Sequence, residues 1–315
     1  MGIRESAALA CAMLACAALS SFAAAPASAA PVCPGAGQPT AVVASLPGAA
    51  LEGLTMDRAG RAFVTDLVSG HVFRIDAPGA PAVPIAKVPS GGAGALAWLP
   101  DGRLLVGYGA DPRVFVGDAL RQAGIVTVDP DTGAVAPFAT GLSAADGMDV
   151  AHDGTVYATN DFGSLVGRVD SNGVQPNWAS FPSANGAVLD QDDSYLYVSR
   201  TFVNPGVSRI PTNAPWAPQS LLDLSGGDLL AAPDGLTLDS LERPVLPFNS
   251  SGQVVRIDAP GRYCVLGSGP QLTSEVQYGR GGQGFSAGRL FGITFSGMVY
   301  EIPGGFDPDA RTAVS

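Results

Sequence analysis

The sequence predicts an all-β protein, a six-bladed β-propeller with four-stranded blades, and three observations carry that prediction. A short phrase recurs along the chain: an acidic or amide residue, then Gly, then alternating apolar positions, then a tight turn. Asp234-Gly235-Leu236-Thr237-Leu238-Asp239 shows it best. Its copies begin 39 to 52 residues apart, the range in which propeller blades repeat. Each copy is followed by a Gly turn leading into a strand of period two, and then by an outer apolar run. Four short strands in each of six units make a propeller, an architecture that protects sheet edges by radial repetition.

Residues 1–30 stand outside the repeat. A lone Arg4, the apolar run from Ala7 to Leu19 and the small residues Ala27-Ser28-Ala29-Ala30 read as a secretory signal peptide cleaved near Ala30, which makes the protein secreted or periplasmic. A membrane anchor, or a lipoprotein cleavage site at Cys16, is the alternative. No later segment is long and apolar enough for a membrane-spanning helix. Residues 31–315 are expected to form a single propeller domain.

The units then follow in order. The first head is Glu52-Gly53-Leu54-Thr55-Met56-Asp57, with Arg58-Ala59-Gly60-Arg61 as its turn and Ser69-Gly70-His71 leading into the third strand. Gly94-Ala95-Leu96-Ala97-Trp98 keeps the frame without a polar head. Asp146-Gly147-Met148-Asp149-Val150 and Asn185-Gly186-Ala187-Val188-Leu189-Asp190 are the third and fourth heads, and Asp234-Gly235 opens the fifth. A sixth, degenerate head is placed near Tyr278-Gly279-Arg280-Gly281-Gly282, ahead of Ser286-Ala287-Gly288. Outer strands are expected at Ala82–Ala86, Val135–Ala139 and Ser220–Leu224. The last unit lacks one, because the tail after Pro303 is polar and rich in Gly and Pro. Thr40–Leu46 should supply it and close the ring.

The 41 Gly and 26 Pro are spread over turn positions, as many short strands require. The formal charge of −11 argues against nucleic acid and anionic lipid as partners and is compatible with cation binding. Cys11 and Cys16 leave with the signal peptide. Cys33 and Cys264 remain in an oxidising compartment, so a single disulfide is expected, with Cys33 beside blade six and Cys264 on the outer strand of blade five.

Equivalent positions of successive blades lie on a circle about the axis, so Glu52, Asp146, Asn185 and Asp234 should converge on one mouth of the central channel. Carboxylates gathered there without Lys or Arg repel unless a cation neutralises them. Oxygen ligands suit one divalent ion, Ca²⁺ first, with Mg²⁺, Mn²⁺ and Zn²⁺ also admissible. The bland reading is that Asx-Gly is only a turn device, its side chain bonded to nearby backbone; four copies in register favour the ion. Two histidines, His71 and His152, sit at turn and strand positions, which gives a Ser-His-Asp triad little support and excludes a His₃ zinc site. Gly279-Arg280-Gly281-Gly282-Gln283-Gly284 has no strand-to-helix context, so it is not a dinucleotide loop. Asn249-Ser250-Ser251 is a glycosylation sequon by letter only.

On Glu52-Gly53, Asn185-Gly186-Ala187-Val188-Leu189-Asp190, Pro233-Asp234-Gly235-Leu236, Asn249-Ser250-Ser251-Gly252 and Gly281-Gly282, the whole mature chain resembles the senescence marker protein/gluconolactonase family, to which regucalcin belongs. The resemblance implies a six-bladed propeller with one divalent metal held by Glu52, Asn185 and Asp234. It also implies lactonase activity, in which metal polarises the carbonyl and a carboxylate, Asp234 or Asp146, activates water. The chain departs from the family at Ser143-Ala144-Ala145-Asp146, where sugar lactonases carry an Arg and an Asn that hold substrate, and at Met56, where an aromatic is usual. The expected function is therefore a secreted metal-dependent hydrolase of a small lactone or related ester. The alternative is a non-catalytic, metal-containing propeller that binds a small ligand or a protein at the channel mouth.

Overall fold

The computed structural model describes residues 30–89 and 91–310; the signal-peptide reading, apart from Ala30, lies outside them. The described residues form six four-stranded antiparallel sheets in a ring. The N-terminal strand is β1 (Ala41–Ser45). Blade one follows as β2 (Leu51–Met56), β3 (Ala62–Asp66), β4 (His71–Ile75) and β5 (Ala82–Lys87), and blade two as β6 (Ala93–Trp98), β7 (Leu104–Tyr108), β8 (Ala123–Val128) and β9 (Val135–Leu142). Blade three comprises β10 (Met148–Val150), β11 (Val156–Ala158), β12 (Leu165–Asp170) and β13 (Gly173–Ser180). Blade four comprises β14 (Ala184–Leu189), β15 (Tyr195–Arg200), β16 (Gly206–Pro211) and β17 (Gln219–Asp223). Blade five comprises β18 (Thr237–Leu238), β19 (Pro244–Phe248), β20 (Gln253–Ala259) and β21 (Arg262–Ser268). Blade six has β22 (Thr273–Tyr278), β23 (Leu290–Thr294) and β24 (Met298–Glu301), and β1 pairs with β24 as its fourth strand, Ala41 opposite Glu301 and Ser45 opposite Met298.

Each apolar cluster lies between successive blades. Phe63 and Val72 of blade one pack with Leu96 and Val126 of blade two, and Leu51, Leu54 and Met56 of blade one pack with Phe291, Ile293 and Val299 of blade six. The alternation of the strands explains this: residues two apart share a sheet face, and each face buries its apolar side chains against a neighbouring blade.

The sixth head corrects the sequence reading. The inner strand of blade six is Thr273–Tyr278, so its head is Ser274-Glu275, and Gly279 to Ser286 is a connection beyond the strand, held by bridges Gly279–Ala287 and Gly281–Ser286. The Asx-Gly signature is absent because Glu275 occupies the glycine position. The disulfide between Cys33 and Cys264 is present, joining residues 231 apart in sequence. Cys33 lies between blades five and six as expected, buried in the apolar cluster that holds Val276, Leu290, Tyr300 and Ile302 of blade six. Its N–H donates to Val265 O, and Val32 bridges Val265 in parallel, so the segment lies along β21 of blade five.

Candidate functional site

The recurrent head is a β-bulge. Leu51 pairs with Asp66 and Leu54 with Val64, so Glu52 and Gly53 together oppose the single residue Thr65. Ala184 pairs with Arg200 and Ala187 with Val198, so Asn185 and Gly186 oppose Ser199. A bulge sets two residues against one and re-aims a side chain, which is how an inner strand turns its polar head out of the ladder. The glycine follows from crowding: a Cβ on Gly53 would lie 2.5 Å from Gly94 O, and one on Gly186 would lie 2.6 Å from Gly235 Cα.

A relay of hydroxyls fixes the bulges from blade to blade. Gly53 N–H donates to Thr65 Oγ1 at 2.7 Å, and Thr65 Oγ1 donates to Gly94 O of blade two at 2.7 Å. Gly147 N–H donates to Thr159 Oγ1 at 2.9 Å, and that hydroxyl donates to Asn185 O of blade four. Thr201 Oγ1 donates to Pro233 O of blade five at 2.7 Å, Gly235 N–H to Ser274 O at 2.8 Å, and Ser274 Oγ to Leu51 O of blade one at 2.7 Å. Every head is thus positioned by its neighbour as well as by its own sheet.

Glu52, Asp146, Asn185 and Asp234 all come to this one mouth. Glu52, Asn185 and Asp234 are buried, and Asp146 is half-buried. The structure adds Asp161 and Glu275, which the sequence reading missed. Burial raises the Glu52 carboxyl well above its ordinary range, and the charges of Asp146, Asp234, Asp161 and Glu275 raise it further. Burial likewise raises Asp161 and Glu275, each reinforced by Asp146 and Asp234. Asp234 is pushed up to about 8, by burial and then by Asp146. Asp146 is raised to about 6 by burial, against hydrogen bonding with Glu52 and Asp161 that holds it down. None of these carboxylates forms an ion pair with any described residue.

Asp161, Thr201 and Asn249 share one place in the repeat, just beyond the second strands of blades three, four and five, and each serves the head of its own blade. Asn185 Nδ2 donates to Thr201 Oγ1 at 2.9 Å, which turns the Asn185 amide oxygen away from that bond. Asn249 Nδ2 donates to Asp234 Oδ2 at 2.8 Å and to Thr273 O at 3.1 Å, while Gly235 N–H donates to Asp234 Oδ1 at 3.1 Å. Asp161 faces Asp146. A frame count from the relay hydroxyls Thr159 and Ser199 to the residue two further on would have found Asp161 and Thr201. Asn249, buried and bonded in this way, is no glycosylation acceptor.

The donor set fits a hard divalent cation. Glu52 Oε2 and Asp146 Oδ2 are buried with no hydrogen-bond partner, a costly state for carboxylate oxygens that coordination would relieve. All nearby donors are oxygens. Among the described residues no three His, Cys, Asp or Glu side chains are by themselves disposed to hold an ion. The histidines take no part: His71 contacts Ser69 Oγ and the Phe73 ring, and exposed His152 pairs with Asp193.

No protein family matches the chain by sequence, and no curated protein matches it. Solved structures share its fold. A gluconolactonase from Xanthomonas campestris superposes with a TM-score of 0.66 at 17% identity, over 90% of this chain and 99% of its own. The calcium-binding protein regucalcin from Agrobacterium tumefaciens gives 0.63 at 19% identity, over 91% of this chain and 100% of its own. A virginiamycin B lyase from Staphylococcus aureus gives 0.53 at 14% identity, over 84% of this chain and 86% of its own, and a histidine-to-alanine variant of such a lyase is catalytically inactive. The architecture is therefore that of the gluconolactonase and regucalcin propellers, as the sequence motifs implied.

Proposed function

We propose that the chain is an exported, divalent-metal-dependent hydrolase of lactones or related esters. One observation carries the reading: the carboxylates of Glu52, Asp146, Asp161, Asp234 and Glu275 meet at one mouth with no Lys or Arg paired to them among the described residues, and Glu52 Oε2 and Asp146 Oδ2 have no hydrogen-bond partner. Glu52, Asn185 and Asp234 would hold the ion, Ca²⁺ first. When bound it supplies a Lewis acid for the ester carbonyl and an acidified water. The Cys33–Cys264 disulfide suits an oxidising compartment.

The chain's own residues divide the remaining work. Asp234 has both oxygens occupied, by Gly235 N–H and Asn249 Nδ2, so it is a fixed ligand rather than a base. Asp146 has an Oδ2 with no hydrogen-bond partner, which suits it to take the proton of the attacking water. Thr201 holds the Asn185 amide in orientation. Ala144 and Ala145 are buried, and Ala145 packs on Gly107 between blades two and three. They offer a substrate no polar group, which favours less polar lactones over sugar lactones.

A lyase of the Staphylococcus type loses activity without a histidine, and both histidines here lie off the channel, which favours hydrolysis. The test is a metal panel by calorimetry together with proton release from aldonolactones, aliphatic lactones and acyl-homoserine lactones. Turnover that chelator removes and Ca²⁺ restores supports the hydrolase. Metal binding without turnover on any of these substrates leaves the non-catalytic binding propeller in its place.

A further inference from the structure

The carboxylate mouth has an apolar rim on one side. Phe115 lies in the short 3-10 helix Pro112–Val116 between β7 and β8, Phe162 between β11 and β12, and Phe202 between β15 and β16. Their exposures are 48%, 39% and 47%, yet they touch in a row: Phe115 and Phe162 centroids are 4.3 Å apart, and Phe162 stacks on Phe202 at 4.9 Å. A contiguous exposed apolar patch of this kind marks a binding surface.

The shelf is wired to the site. Phe162 follows Asp161 directly, and Phe202 follows Thr201, the residue that orients Asn185. Phe162 N–H donates to Asn160 Oδ1, and Asn160 Nδ2 donates to Val114 O beside Phe115. Phe202 N–H donates to Ser183 Oγ, just before the fourth blade's head. The rings are therefore anchored by the backbone that places the polar cluster, and their mutual stacking preorganises them.

The geometry points to a subsite formed by Phe115, Phe162 and Phe202 for the acyl or aryl arm of a small amphiphilic ligand whose polar head enters the carboxylate mouth. That the head is a lactone or ester rests on the proposed function; the shelf itself does not. The net charge of −11 and the packing of the rings on one another, rather than splayed outward, favour a small molecule over a lipid surface.

Two measurements test it. In the metal-loaded protein, kcat/KM should rise from γ-butyrolactone to γ-decalactone by about two- to fourfold per added methylene, and Phe162→Ala or Phe202→Ala should lower the decalactone-to-butyrolactone ratio by about tenfold, with Phe162→Leu intermediate. An unchanged ratio in the alanine variants overturns the subsite and leaves the hydrolase standing. If no lactone is hydrolysed the hydrolase reading falls, and the neutral probe N-phenyl-1-naphthylamine decides alone. Fluorescent binding that weakens about tenfold in Phe162→Ala, with the melting temperature unchanged, supports the subsite; equal or absent binding overturns it. Phe162-dependent sedimentation with phosphatidylcholine vesicles would make the shelf a membrane-docking face and also overturn the proposal.

Discussion

The two ends of the same inner strands differ in how their acidic residues are satisfied. Blade one carries Glu52 at one end and Asp57 at the other, and blade five carries Asp234 and Asp239. At the far mouth Asp57 accepts from Arg61 N–H at 2.9 Å and Arg61 Nε at 2.5 Å, and Asp239 accepts from Arg243 N–H at 2.9 Å and Arg243 Nε at 2.7 Å. At the head mouth no arginine among the described residues pairs with the cluster, and the carboxyls are driven upward by burial and by one another. Acidic residues alone do not make a site. Withheld compensation does, because buried carboxylates without a partner persist only where something else can neutralise them.

The sharpest way to break this comparison is to remove one aspartate from each end of β18. Asp234→Ala should lower Ca²⁺ affinity at least about 100-fold and abolish lactone turnover, since a charged ligand and the field around Asp146 go together. Asp239→Ala should leave affinity within about threefold while destabilising the fold by about 1–3 kcal/mol, because Arg243 and the turn N–H groups of Leu241 and Arg243 lose their acceptor. Calorimetry showing equal affinity losses in the two variants would erase the distinction between the mouths.

Reducing the disulfide separates frame from site in another way. Closing a loop of this length contributes about 2–5 kcal/mol in the chain-entropy account. Reduction should therefore lower the melting temperature without changing the Ca²⁺ dissociation constant, because Cys264 lies on the outer strand of blade five and Cys33 on the segment that runs along it, away from the channel. Thiol titration of the denatured, unreduced exported protein, cleaved near Ala30, should find no free thiol; two free thiols there would remove the bridge.

Acidity gives the next effect. Asp146 and Asp149 are raised to about 6 and Asp234 to about 8, each by burial first, whereas unfolded aspartates titrate near 3.9. Between about pH 4 and 8 the folded protein binds more protons than the unfolded chain. Stability of the metal-free protein must then fall as pH rises through that window. The melting temperature without metal should be higher at pH 5 than at pH 8, and saturating Ca²⁺ should flatten or reverse the slope by taking the protons' place. A metal-free protein that melts higher at pH 8 would contradict the uncompensated cluster.

Most of the frame was legible because it repeats. Glu52, Asn185 and Asp234 announced themselves as polar residues before glycine, and the glycines are needed for a bulge pressed against the next blade. Glu275 was hidden for the complementary reason: it stands at the glycine position, packed 2.7 Å from where a Cβ on Gly235 would lie, so the signature vanished and the sixth head was read too late in the chain. Asp161 looked like any loop aspartate in Asn160-Asp161-Phe162-Gly163. Nor could the chain order distinguish Asp57 from Glu52. Their difference lies in which arginines reach them, and that depends on the turns at the far ends of the blades.

The smallest expected effect comes from two hydroxyls that do similar work at opposite mouths. Thr201 Oγ1 accepts from Asn185 Nδ2 and donates to Pro233 O. Thr212 Oγ1 donates to Asp193 O at the far mouth. Thr→Val keeps shape at either place and removes only the hydrogen bonds. Thr212→Val should cost about 0.5–1.5 kcal/mol and nothing in affinity. Thr201→Val should cost about 1–3 kcal/mol, since the buried Pro233 carbonyl and the Asn185 amide both lose a partner. It should also weaken Ca²⁺ binding about 10-fold, because an amide free to rotate no longer presents its oxygen to the ion. Thr201→Ser restores the hydroxyl and should restore the affinity. If Thr201→Val binds Ca²⁺ as tightly as the parent protein, Asn185 is not a ligand, and the ion, if held, must be held by the carboxylates without it.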